Sequence, residues 1–152
     1  MSKLTNLMRP FWVILGVFLV IRIVLSAQGV PYANPRAAAI SLVTLTFVAG
    51  ALTAALGRGL LNITLKEAAI LGALMGLSAQ IVIFVATMVS LLGGFSSYFT
   101  YPGAINDALP LDQPVTMGDA LPARLGGLVV GPIATAITAL IGWAIGGLMN
   151  RK

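Results

Sequence analysis

The chain has no cysteine and no histidine, and only 4 of its 152 residues are acidic. Without thiolates or imidazoles it forms no disulfide, runs no cysteine or histidine chemistry and builds no Cys/His zinc or iron–sulfur site. Haem held by histidine is excluded as well, and its 6 methionines are poor axial ligands on their own. Charge of either sign is scarce, at 9% of residues against about 25% in an average soluble domain. No nucleophile stands beside a base, no carboxylates pair within an apolar stretch, and no glycine loop has phosphate-binding spacing. These absences predict a protein that is not an enzyme and that calls for no cofactor and no metal.

What fills the chain instead is apolar. Hydrophobic residues make up 59% of it, more than a soluble fold of this length can hide, and the length suits one domain. Four long apolar stretches, at about 11–27, 37–56, 68–92 and 125–149, hold a single ionisable side chain between them, Arg22. About 20 residues of helix cross a hydrocarbon core of about 30 Å. The reading is an all-α integral membrane protein, a four-transmembrane-helix bundle in direct contact with the lipid bilayer.

The first stretch has Lys3 and Arg9 ahead of it, as a signal peptide would, and begins as early as Leu7. Arg22 interrupts its core, however, and a cut after Ala27 places bulky Leu25 where a small residue is wanted. It reads as an uncleaved helix. Its 12 Phe, Val, Ile and Leu side chains, at roughly −0.3 to −0.6 kcal/mol each, outweigh one Arg at roughly +2.5 to +3.5. Gly29, Pro31 and Pro35 then turn the chain, and Gly57, Arg58 and Gly59 are expected to end the second span. A polar hinge at Lys66 and Glu67 leads into the third.

Orientation follows from the basic flanks. Lys3, Arg9, Arg58, Lys66, Arg151 and Lys152 fall on one side, and only Arg36 and Arg124 on the other. Six against two predicts cytoplasmic N and C termini and an outer connection at 93–123. Scattered at helix edges, these charges describe topology rather than a nucleic-acid patch, so no nucleic-acid partner is expected. A bacterial inner membrane suits such a chain.

The outer connection opens with Phe95, Tyr98, Phe99 and Tyr101, rings that suit a membrane–water interface. It carries Asp107, Asp112 and Asp119, whose spacings match no calcium loop, and four prolines. Asp119 is expected to cap the fourth helix, with Pro122 in its first turn, and a short interfacial helix is expected near Ala104 to Leu109.

Arg22 is the sharpest candidate for a ligand or partner contact, because charges inside spans mark cavities, partners or paths. It lies about five residues from the outer end, roughly 8 Å at 1.5 Å rise per residue. Snorkelling, or an ion pair with Asp107, Asp112 or Asp119, is the favoured explanation of it. Gln80 is the second candidate, able to hydrogen-bond across the bundle or to line a polar path. Gly72 and Gly76 with Ala68 and Gln80, Gly127 and Gly131 with Thr135 and Ala139, and Gly50 with Thr46 and Ala54 form small-residue stripes that let helices approach, within the bundle or against a second copy. Pro132 is expected to kink the fourth helix. Two functions fit. One is a non-catalytic accessory or scaffold subunit, partnered with other membrane subunits or itself. The other is a small transporter or channel for a neutral or anionic solute, using Arg22 and Gln80.

Overall fold

The computed structural model describes residues 2–35, 39–106 and 108–149, all of it helix, turn or loop. Among the described residues, four helices are long and apolar enough to cross a membrane. We name them α1 (Ser2–Ala27), α2 (Leu42–Leu61), α3 (Leu65–Leu92) and α5 (Met117–Met149). A 3-10 turn at Tyr98–Thr100 and the one-turn α4, Pro102–Ile105, lie between α3 and α5.

Local chemistry decides where these helices start and stop. Thr64 and Glu67 cap α3 reciprocally: Glu67 N donates to Thr64 Oγ1 (3.2 Å) and Thr64 N to Glu67 Oε2 (2.7 Å). The α2 helix begins at Ser41, whose hydroxyl accepts from Thr44 N at 3.3 Å. It ends at Asn62, held left-handed at φ 51°, a conformation that asparagine tolerates better than most side chains.

The expected 37–56 span is therefore displaced toward the C-terminus, and Gly57, Arg58 and Gly59 are helical rather than terminal. Gly57 lies inside because it is packed: a Cβ there would sit 2.8 Å from Ile63 Cδ1. Positions 36–38, including the first two residues of that expected span, lie outside the described residues.

The fourth span departs furthest from expectation, with α5 starting at Met117 rather than near 125. Thr116 and Asp119 explain it. Thr116 N donates to Asp119 Oδ2 at 2.9 Å, and Asp119 N returns a bond to Thr116 Oγ1 at 3.3 Å. Asp119 is thus the third helical residue of a capping box and not the cap itself. Pro122 lies beyond the first turn, and α5 is continuous through both Pro122 and Pro132. The short outer helix also forms earlier than expected, at Pro102–Ile105.

Packing centres on α5, which takes α3 on one side and α2 on another, while α1 lies outside against α2 and α3. The small residues make this close approach possible. A Cβ on Gly72 would lie 2.6 Å from the Ala139 Cβ, and one on Gly76 would lie 2.7 Å from the Gly131 carbonyl oxygen. Gly50 of α2 faces Thr135 of α5, with a Cβ there 3.0 Å from the threonine methyl. Gly127 and Gly131 leave the space that Gln80 occupies: a Cβ on either would be within 2.8 Å of its side chain.

At the end where α2 finishes, the Arg58 guanidinium carbon stands 3.6 Å from the centre of the Trp143 ring. Arg58 Nη1 donates to the Trp143 carbonyl (3.0 Å), and Trp143 Nε1 to the Ile63 carbonyl (2.7 Å). That end of the α2–α5 interface is tied shut.

Candidate functional site

On α1, Met8, Phe11, Leu15 and Arg22 are all buried. They recur at three, four and seven residues, one face of a helix, so Arg22 is the last member of the stripe that faces the bundle. It is 7% exposed, which makes it a bundle residue and not a lipid-facing one.

The chain past α1 closes over this arginine. Gly29, at φ 71°, takes the left-handed position that ends a helix, and Val30 N returns to the Leu25 carbonyl at 3.1 Å. The freed Val30 carbonyl accepts from Tyr98 Oη at 2.7 Å, which joins the first connection to the third. Tyr32 stacks on Tyr101, ring centres 4.4 Å apart, and meets Tyr98 edge-on at 5.8 Å.

Beneath these rings lies the Arg22 guanidinium, with its carbon 5.2 Å from the Tyr98 ring centre, 5.7 Å from Tyr32 and 5.8 Å from Phe99. Arg22 Nη1 donates to the Ile40 carbonyl at 2.9 Å. Ring faces are negative, so each adds to the stability of the cation, by about 0.5–2 kcal/mol.

A second arginine arrives from α5. Arg124 Nε donates to Thr87 Oγ1 and its Nη2 to the Phe99 carbonyl, both at 2.9 Å. Thr87, fully buried on α3, donates in turn to the Ile83 carbonyl at 2.8 Å. Arg22 and Arg124 line the same cavity, about 80 Å³, together with Tyr32, Ser41, Tyr98 and Phe99. At about 10–15 Å³ per water, it holds several waters or one small oxyanion.

No acidic side chain is among the described residues that line this cavity. Asp119 is engaged with Thr116 at 2.5 Å, Asp112 is exposed in the loop, and Asp107 lies outside the described residues. Of the five N–H groups of an arginine, the bonds to Thr87 and Phe99 engage two of Arg124's. A guanidinium held this way presents a planar, permanent charge and a fixed donor fork.

The structure brings Arg22, Tyr98 and Tyr101 together. It sets Gln80 apart, against Gly127 and Gly131 in the α3–α5 interface. Gly50, Gly72, Gly76 and Pro132 belong to the helix contacts and not to the cavity.

Arg124 and Tyr32 are the residues that sequence reasoning missed as site residues. By hydropathy alone the span starts near 125 and Arg124 reads as a flanking charge, whereas the helix starts at Met117. The Thr-x-x-Asp pattern at Thr116 and Asp119 is the signal that corrects it. Once α5 begins at Met117, Arg124, Gly127 and Gly131 share one face, and that face is the one packed on α3. Tyr32 carried no local signal, since its partners Tyr98 and Tyr101 are more than sixty residues away in the sequence. No protein-family model, no curated protein and no solved structure matches the chain.

Proposed function

We propose that this chain is an integral membrane protein that acts by binding rather than catalysis, and that it takes an anionic group, a phosphate or carboxylate, between Arg22 and Arg124. The single observation behind this is the convergence of buried Arg22 and half-buried Arg124 on one small cavity roofed by tyrosines. Two like charges sharing a low-dielectric space repel, and an oxyanion between them turns that repulsion into two charge-assisted contacts. Of the two functions expected from the sequence, this favours the one in which the chain handles an anionic solute. The glycine stripes give no separate support to assembly through them, because α2, α3 and α5 already use them on one another.

In this reading both termini are cytoplasmic and the arginine cavity opens on the outer side. Lys3, Arg9, Arg58 and Lys66 at the opposite end support that orientation by the positive-inside rule. The natural lack of cysteine makes the test direct. A single cysteine at Gln113 should react with a membrane-impermeant maleimide added outside intact cells, and one at Asn62 should react only after lysis. The reverse pattern overturns the orientation.

The binding claim is tested with methyl phosphate, a monoester small enough for the cavity. It should raise the melting temperature of the detergent-purified chain in proportion to its occupancy. Arg124→Gln should weaken binding at least tenfold, and Arg124→Lys nearly as much, because an ammonium cannot reproduce a bidentate fork. A response unchanged in both variants overturns the anion site.

A further inference from the structure

A second cavity, about 280 Å³, lies between the last turns of α1 and α3, walled by Ile23, Ala27, Ala86, Val89, Phe95 and Phe99. Its size approaches the roughly 300 Å³ at which small-molecule sites begin, and its walls are mainly apolar. Phe99 is the one described residue that lines both this cleft and the arginine cavity. Its carbonyl holds Arg124, and its ring faces Arg22. Neighbours in sequence divide between the two spaces: Arg22 serves one and Ile23 the other.

Both spaces lie toward the level where α1 and α3 end and the aromatic connection begins, the arginine cavity reaching deeper, to Ile83, and the cleft running along Ala86 and Val89. In a bilayer that level is the boundary between headgroups and acyl chains, which is where aromatic residues collect. A permanently charged cavity for several atoms therefore stands beside an apolar cleft, with Phe99 lining both. The helix that forms one wall of the cleft, α1, is also the least buried of the four, so the cleft opens between neighbours that part more easily than α3 and α5 do.

Resting on the anion site proposed above, we infer that the ligand is an amphiphile. Its anionic headgroup sits between Arg22 and Arg124, and the first part of its acyl chain lies along the Ile23–Val89 cleft past the edge of Phe99. Charge complementarity selects the head, and continuity through Phe99 selects what is attached to it. A free anion uses the first space only, and a neutral lipid uses the second only. The two together recognise an anionic lipid.

The experiment compares phosphatidic acid, diacylglycerol and methyl phosphate, each titrated by native mass spectrometry against the full chain in a neutral detergent. Phosphatidic acid should bind one to one, at least tenfold tighter than either of the others. Arg124→Gln should weaken phosphatidic acid and methyl phosphate together. Ala86→Trp, which fills the cleft, should weaken phosphatidic acid at least tenfold and leave methyl phosphate unchanged. Val89→Trp, at an exposed position on the same rim, repeats the test if Ala86→Trp does not fold.

Equal affinity for phosphatidic acid and methyl phosphate, with both indifferent to the cleft-filling variants, overturns the amphiphile and leaves the anion site standing. Arginine-independent binding of every probe overturns both. A cleft occupied by a second copy of the chain appears as a dimer that phosphatidic acid does not dissociate, and that result also overturns the inference.

Discussion

At the scale of single residues, the glycines fall into two kinds that composition cannot separate. Gly76 lies against the α5 backbone, where an added Cβ would be 2.8 Å from Pro132 Cα. Gly126, two turns away from that contact on the same partner helix, has nothing within 4 Å of such a Cβ. Gly76→Ala should therefore force α3 and α5 apart and destabilise the bundle by about 1–3 kcal/mol, the range for overpacking. Gly126→Ala should stabilise it by about 0.5–1 kcal/mol through lost backbone freedom in the unfolded chain. Unfolding of each variant in a denaturing detergent series checks the signs. Two variants that move stability in the same direction would mean that the α3–α5 approach is looser than described.

Arg58 and Trp143 make a comparable point about charge. In the sequence, Arg58 is a topological marker. It also stacks at 3.6 Å on an indole, an interaction with no local sequence pattern because the two residues are 85 positions apart.

At the scale of elements, the sequence was most readable where periodicity and length decide the outcome, and least where a cap does. Four helices were legible because 18-residue windows with mean hydropathy between 1.4 and 2.3 leave no other economical structure. The boundary of α3 was nearly right, since Thr64 and Glu67 coincide with the polar hinge. The boundary of α5 was not. Hydropathy falls off before Leu125, while Thr116 and Asp119 start the helix two turns earlier.

That displacement hides the site, because it leaves Arg124 as a flanking charge outside the helix. The cap should matter for function as well as for stability. Thr116→Val removes the hydroxyl that accepts from Asp119 N at 3.3 Å, a loss of about 0.5–2 kcal/mol at an N-cap. It should fray the first turns of α5 and misplace the Arg124 fork. Amide exchange should accelerate over residues 117–121 only, and methyl phosphate binding should weaken without any change at the site itself. Faster exchange that leaves binding untouched would show Arg124 to be positioned by Thr87 and Phe99 alone.

At the scale of the whole molecule, the four helices are not equivalent partners. Small residues knit α2, α3 and α5 backbone to backbone, with Gly142 and Gly146 of α5 directly against Ala51 and Ala55 of α2. The α1 helix has no such seam. It is held by one stripe of large side chains, by Trp12 Nε1 reaching Ser78 Oγ at 3.3 Å, and by Arg22 under its aromatic roof. Dispersion between large flexible side chains is more forgiving of displacement than close backbone contact, so α1 should move as a unit against a stiff three-helix core. Arginine and cleft both lie on the boundary between α1 and that core.

Spin labels on introduced cysteines make the difference measurable, and no native thiol interferes. A pair at Val20 and Val85, exposed positions on α1 and α3 that line neither space, should give a broad distance distribution, and a pair at Val85 and Val129, on two helices of the core, a narrow one. An anionic ligand that bridges Arg22 on α1 to Arg124 on α5 has to draw the two together, because each contact fixes a different helix. The first distribution should narrow on adding ligand while the second stays as it was. If both pairs are equally narrow in the apo protein, α1 is part of the rigid core, and ligand binding has nothing to close.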